Sequence, residues 1–165
     1  MVTLYNVISQ DGYISRLDGS EDFIPDEAWI DFLNICKQND VEIMGRKTYE
    51  AIQKYPEQMV KEFENLKIKK VVVTKNSEFI AKPLYTVVHS LKDALALGTN
   101  ILISSGPTLN TSALREGLID KIVLNILPVK IGSGIKIFEN EPDLILISEK
   151  DLKNGQKWRI YKIAK

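Results

Sequence analysis

Glu42-Ile43-Met44-Gly45-Arg46-Lys47-Thr48-Tyr49-Glu50 is the stretch whose reading decides the fold. An apolar strand ends at Met44, Gly45 makes the turn, and a helix starts on two cations and a hydroxyl. A helix N-terminus carries unpaired backbone N–H groups and a partial positive charge. Adding Arg46, Lys47 and Thr48 turns that end into a seat for phosphate oxygens. A capped helix with two solvated cations satisfies the same residues, and spacing alone does not separate the two readings. Either way, strand, tight turn and helix form the repeating unit of an α/β sheet.

The unit recurs along the chain. Leu4 to Ile8, Val71-Val72-Val73, Val87-Val88, Ile101-Leu102-Ile103 and Ile122 to Leu127 are short, continuous, β-branched runs of the kind covered on both faces. Helical patterns lie between them. Asp26 is placed to cap a helix carrying Ala28, Trp29, Phe32, Leu33 and Cys36 on one face. Thr48, Tyr49, Ile52 and Tyr55 mark a second helix, stopped before Pro56. Ser90 and Asp93 resemble a capping box, closed by Gly98, and Pro107 and Gly117 bracket a fourth helix. Lys54 to Lys70 is charged and weakly periodic, either an exposed helix or a loop. Asp143 to Glu149 and Lys157 to Ile163 read as two final strands joined around Asn154-Gly155. The pattern predicts a three-layer α/β sandwich: a mostly parallel mixed sheet, helices on both faces and a C-terminal antiparallel hairpin.

With 165 residues, the chain is expected to form a single domain over 1–165 with a core that needs no disulfide or metal. Lysine plus arginine equals aspartate plus glutamate at 22 each, which argues against a dedicated nucleic-acid or anionic-membrane binder. No apolar run reaches the roughly 18 residues of a membrane span, and the first residues lack a secretory leader pattern. A cytoplasmic protein is expected. One Cys and one His exclude an internal disulfide and a Cys/His zinc site. Cys36 reads as packing, as does Trp29, and His89 as a strand-end or helix-cap residue. No nucleophile elbow, Walker motif or HExxH is present.

Four further turns border predicted strands. Ile103-Ser104-Ser105-Gly106-Pro107-Thr108-Leu109 again leads from a strand through small residues into a helix, although no GxGxxG fingerprint occurs. Val73-Thr74-Lys75-Asn76 leaves a strand into polar residues, where Lys75 is either a phosphate ligand or a solvated lysine. Ile8-Ser9-Gln10-Asp11-Gly12-Tyr13-Ile14 puts an aspartate at the carboxyl end of a strand, where open α/β sheets hold ligands, and is equally a simple Asp-Gly turn. Gly117 to Gly134 reads as a helix stop, a strand and a flexible loop.

Taken in order, these segments resemble the dihydrofolate reductase superfamily. Met44-Gly45-Arg46-Lys47-Thr48-Tyr49-Glu50 looks like its MGRKTxE turn. Ser9-Gln10-Asp11-Gly12-Tyr13-Ile14 resembles the S-x-DGYI start of the branch related to the reductase domain of riboflavin biosynthesis. Gly117-Leu118-Ile119-Asp120, Leu127-Pro128, Gly132-Ser133-Gly134 and Phe138 are similar to that branch's later signature. The resemblance covers about residues 2 to 138.

What the resemblance implies is a homodimeric reductase using NADPH. Gly45, Arg46, Lys47 and Thr48 would line the cofactor phosphates, Thr74 and Lys75 would meet the 2′-phosphate, and Ser104, Ser105, Gly106, Pro107, Thr108 and Leu109 would hold the pyrophosphate. Ser105-Gly106 stands where relatives usually show Gly-Gly, and the added side chain is expected to restrict close approach there. Ser9, Asp11 and Gly12 would contact substrate, with Asp11 a candidate for proton delivery. By the same analogy, the acidic position that holds the pterin ring in dihydrofolate reductases falls near Trp29, between Asp26 and Asp31. Folate is therefore the weaker choice, and the substrate implied is a phosphoribosylamino-pyrimidine. The zinc deaminase of bifunctional relatives cannot exist in a chain with one His and one Cys. Two other readings keep the fold: a pterin-type reductase with another substrate, and a dimeric nucleotide-binding protein without turnover.

Overall fold

The computed structural model describes residues 1–165. The elements in chain order are β1 (Val2–Ile8), β2 (Tyr13–Ser15), α1 (Asp26–Cys36), β3 (Val41–Gly45), α2 (Arg46–Gln53), α3 (Glu57–Glu64), β4 (Lys69–Val73), β5 (Tyr85–Val88), α4 (Leu91–Leu95), β6 (Ile101–Ile103), α5 (Pro107–Arg115), β7 (Lys121–Ile126), β8 (Ile135–Lys136), β9 (Leu144–Asp151) and β10 (Lys157–Ile163). Eight strands form one sheet in the order β5-β4-β3-β6-β1-β7-β10-β9. Its first six strands are parallel, and β10 joins β7 antiparallel, with β9 outermost. This is the three-layer, mostly parallel α/β sandwich that the apolar pattern predicts.

Strand alternation divides the core into two layers. Leu4, Ile43, Val71, Ile103 and Ile122 point to the face covered by α4 and α5, through Leu91, Ala94 and Ala113. Tyr5, Met44, Val72, Leu102 and Val123 point to the opposite face, under Phe32 and Cys36 of α1, Tyr49 and Ile52 of α2 and Phe63 of α3. The charged segment 54–70 therefore holds a helix, because Val60 and Phe63 recur at helical spacing and bury. Cys36 is buried as expected, and burial pushes its thiol pKa up, which disfavours the nucleophilic thiolate.

Local signals set several ends. The Ser90 hydroxyl accepts the Asp93 N–H at 3.1 Å and starts α4. Pro107 opens α5, and Gly117, at φ +66°, closes it. There Leu118 N–H reaches the Ala113 carbonyl and Gly117 N–H the Leu114 carbonyl, a Schellman stop. Asp26 does not cap α1; Pro25 holds the cap position and Asp26 is the first helical residue. The Asn154-Gly155 connection is longer than a two-residue hairpin, a short 3₁₀ turn with both residues at positive φ.

One element is absent from the sequence pattern. The segment expected as a flexible loop after Pro128 forms β8, which pairs antiparallel with β2 as a separate two-stranded ribbon. Gly134 permits it: a Cβ there would collide with the Ser15 carbonyl oxygen, so a side chain at this position would push the ribbon apart.

Candidate functional site

The parallel strands all deliver their carboxyl ends to one edge, and β3 and β6 are neighbours there. Each leads directly into a helix, α2 from Gly45 and α5 from Gly106, and neither N-cap carries a side-chain cap. Neither first turn contains an acidic residue. The two turns are fastened together: Gly45 N–H donates to Ser105 Oγ at 3.0 Å, and Thr48 Oγ1 lies 3.4 Å from the same oxygen. From behind, the Asn6 and Asn110 amides donate to the Ser105 carbonyl at 3.0 and 3.1 Å. Two uncapped helix N-termini side by side make a positive, donor-rich edge, a seat that suits anionic oxygens.

The Ser105 side chain does not obstruct this seat. It is buried, turned inward toward Gly45, and adopts no positive φ. Gly106 is the residue left open; a Cβ built there meets nothing within 4 Å. The serine in place of glycine thus welds the two turns and leaves the approach over Gly106 free.

Beside the seat lies a cleft of about 510 Å³ between α1 and α2. Lys47, Thr48, Ser104, Ser105, Gly106 and Pro107 form its phosphate-side wall. Trp29, Phe32, Ile52, Tyr55 and Met59 form an apolar wall opposite, and Ile14, Ser15 and Ile135 of the β2–β8 ribbon close one side. Trp29 packs edge-on to Tyr55 at 5.8 Å and tilted on Phe32 at 5.4 Å, while its indole N–H donates to Glu62 at 3.3 Å. Tyr55 donates to Glu21 at 2.6 Å, and burial pushes the Glu21 carboxyl pKa up. A cleft with an aromatic wall and a few fixed polar groups suits a flat heterocycle.

The remaining predicted residues fall in three places. Arg46 stands at the start of α2, partly exposed, its Nε 3.8 Å from Glu50. Thr74 and Lys75 follow β4 one strand further out, in register with Gly45 through Val73. Lys75 is exposed, and the Thr74 carbonyl is 2.7 Å from His89 Nδ1, which ties the ends of β4 and β5. Thr108 and Leu109 sit in the first turn of α5, where their N–H groups have no intrahelical partner.

Ser9, Asp11 and Gly12 do not line the cleft. Ser9 Oγ donates to Asp11 Oδ1 at 2.6 Å and accepts Tyr13 N–H at 3.0 Å. The Asp11 carboxylate accepts Ile131 N–H at 3.2 Å and Gly132 N–H at 2.8 Å. These bonds, that from Ser9 foremost, lower its pKa to about 2. A carboxylate so held is a poor proton carrier at neutral pH. In the structure Asp11 clamps the 129–132 loop and stands outside the residues that line the cleft.

Sequence reasoning missed the cleft's own wall. Trp29, expected in the core, is a half-buried wall residue; Tyr55, read only as a helix position, and Glu21, which carried no sequence signal, also border the cavity. Of the two acids flanking Trp29, Asp26 lines the cleft. Asp31 turns to the other side of α1 and accepts Asn125 Nδ2 at 3.3 Å.

The chain is similar to two proteins of Bacillus subtilis (strain 168), both uncharacterized. YwjB is 29% identical over 82% of this chain and 80% of its own length, and YyaP is 27% identical over 79% and 76%. A candidate riboflavin biosynthesis protein from Shewanella sp. PV-4 superposes with a TM-score of 0.79 at 20% identity, covering 99% of both chains. The deaminase/5-amino-6-(5-phosphoribosylamino)uracil reductase of Thermotoga maritima gives 0.73 at 12% identity, and Acinetobacter baumannii RibD gives 0.77 at 17%. The chain spans 56% and 58% of those two longer proteins. These likenesses bear out the dihydrofolate reductase-like fold. The RibD C-terminal domain profile matches residues 1–158, and the chain belongs to that family.

Proposed function

We propose that this chain is an NADPH-dependent reductase that delivers hydride to a C=N or C=O carbon of a flat heterocycle, of the ribosylamino-pyrimidine class. The observation that carries the reading is the pair of uncapped helix N-termini, welded by Ser105, that opens onto a 510 Å³ aromatic-walled cleft. The residues present fit the cofactor. Gly106 leaves room for a pyrophosphate, the first turns of α2 and α5 offer N–H donors, and Arg46 and Lys47 add charge at the same edge. Lys75, beside Thr74 at the end of β4, is free to meet a 2′-phosphate. NADPH, when bound, supplies the hydride. The protein's part is to hold the reacting carbons together, with Trp29, Phe32 and Tyr55 excluding water from one side. A Ser105 side chain crowding the seat would favour a binding protein without turnover; its inward turn toward Gly45 supports the reductase reading instead.

The proposal includes a homodimer. β9 is an outer strand that leaves Ile145, Leu146 and Ile147 each 45–55% exposed, an apolar edge of the kind that pairs with a second copy. No helix is long and apolar enough to cross a membrane.

Titration with NADPH and NADH, followed by melting temperature and tryptophan fluorescence, tests the cofactor reading. NADPH is expected to bind more tightly, with Arg46→Ala and Lys75→Ala each weakening it. NADPH oxidation on adding 5-amino-6-(5-phosphoribosylamino)uracil, but not dihydrofolate, identifies the substrate class. No response to either nucleotide refutes the reading.

A further inference from the structure

Glu42 is a carboxyl group in the centre of the sheet. It lies on β3, between Lys70 of β4 and Leu102 of β6, and is fully buried. Oε1 is hydrogen-bonded to the Ser104 hydroxyl, and Oε2 has no partner at all. Ser104 in turn lines the cleft, so a single hydroxyl separates this buried acid from a bound heterocycle.

Of the charged groups facing Glu42, Lys70 favours its anion, but only from a distance and without a hydrogen bond, and burial outweighs it. Lys70 gives its ammonium to the Leu66 and Ile68 carbonyls at 2.7 and 3.3 Å and lies 5.5 Å over the Phe63 ring. It forms no ion pair with Glu42. Cys36 from α1 and Tyr85 from β5 also face the acid, and both would be repelled by its anion if they ionised. An anion here would leave one buried oxygen without a donor, which is costly. A neutral carboxylic acid avoids that cost. Burial pushes the Glu42 pKa up to about 8, so the neutral form prevails at pH 7.

The protonation state fixes which way the Ser104 hydroxyl points. A neutral acid must place its own proton, and the one partner within reach is Ser104 Oγ. Ser104 then accepts from Glu42, and its own hydrogen is released toward the cleft. An ionised Glu42 reverses this: it accepts the Ser104 hydrogen, and the cleft meets only an oxygen lone pair.

We propose that Glu42 is a positioning residue that holds the Ser104 hydroxyl as a hydrogen-bond donor into the cleft, where Ser104 binds a carbonyl oxygen or ring nitrogen of the heterocycle. The inference rests on the reading of the cleft as the heterocycle site and goes beyond it, because it specifies an acceptor atom on the ligand's sheet-facing side. A donor there both orients the ring and polarises the bond that receives hydride.

Two measurements test it. The infrared spectrum at neutral pH should contain a protonated carboxyl band that Glu42→Gln removes; its absence from the wild-type protein overturns the proposal. Binding of 6-aminouracil, read by tryptophan fluorescence, is then followed from about pH 6 to pH 9.5 in both proteins. Wild-type affinity should fall about tenfold relative to Glu42→Gln across pH 8, as one hydrogen bond is lost. Ser104→Ala should bind at neutral pH as weakly as the wild type does at alkaline pH. Parallel profiles in the two proteins, or no binding by the wild type, overturn the proposal. An NADPH melting shift that persists beside parallel profiles confines the failure to Glu42. The expected profiles without any NADPH shift retire the reductase reading and leave the Glu42–Ser104 pair standing.

Discussion

Gly106→Ala separates architecture from binding at the phosphate seat. Gly106 has negative φ, at −89°, and open space where a Cβ would project, so alanine enters without strain. The variant without ligand should melt within a few degrees of the wild type, or slightly higher, since alanine narrows the unfolded ensemble by roughly 0.4–1 kcal/mol. Its methyl group would occupy the approach that the pyrophosphate needs. Losing one charge-assisted hydrogen bond costs about 1.5–3 kcal/mol, so NADPH affinity should fall roughly 100-fold. At a concentration 100 times the wild-type Kd, NADPH stabilises the wild type by about 2.7 kcal/mol, or roughly 5–11 °C for a chain of this size. The variant at the same concentration gains only about 0.4 kcal/mol, roughly 1–2 °C. Differential scanning fluorimetry with and without NADPH reads both quantities. An undiminished NADPH shift in Gly106→Ala refutes the seat. A collapse of the ligand-free protein refutes the claim that Gly106 is free for a ligand and not needed for the fold.

Phe63→Ala removes a ring with no exposed surface that packs on Phe32 at 5.7 Å; it should cost about 4 kcal/mol and roughly 8–16 °C in thermal unfolding, and a loss under 1 kcal/mol would show that the α3 layer closes over the gap. Asp11→Asn should speed amide exchange at Ile131 and Gly132, the groups its carboxylate holds. The wild-type Asp11 pKa lies below that of the unfolded chain, so its contribution is present above about pH 4 and is lost as pH falls toward about 2. Chemical denaturation across that window should show the acid decline in the wild type and a flatter one in Asp11→Asn; identical profiles refute the clamp. Leu146→Lys charges the apolar edge strand, half exposed at that position, and should convert a dimer to a monomer in light scattering. A wild-type protein already monomeric at working concentration refutes the edge pairing.

Much of the parallel half of the sheet is legible in the sequence because local chemistry and tertiary packing agree there. Val71-Val72-Val73 and Ile101-Leu102-Ile103 are buried on both faces and carry no polar alternation. Ser90, Pro107 and Gly117 mark helix ends through bonds that span a few residues. The β2–β8 ribbon was not legible, because β8 is two residues long and depends on the close approach at Gly134, more than a hundred positions from its partner. The candidate phosphate seat was visible as two strand-turn-helix units, but not the bond by which Ser105 joins them. Asp11 stood out through a family motif, but its hold on the 129–132 loop was not legible, because those bonds join positions 120 and 121 residues apart. Glu42 showed no signal: within a strand, a buried glutamate and an exposed one read alike until neighbouring strands cover it.

The placement of β1 has a consequence for biosynthesis. This strand sits between β6 and β7, whose residues begin at Ile101 and Lys121, about a hundred positions later in the chain. At roughly 5–20 residues per second on the ribosome, Leu4 and its neighbours wait on the order of 5–20 s before either flank exists. During that interval a sticky apolar segment trails outside the exit tunnel, a natural client for chaperones. A circular permutant opened in the Asn154-Gly155 turn would make β10 and β1 early together, but β1 would still wait for both flanks.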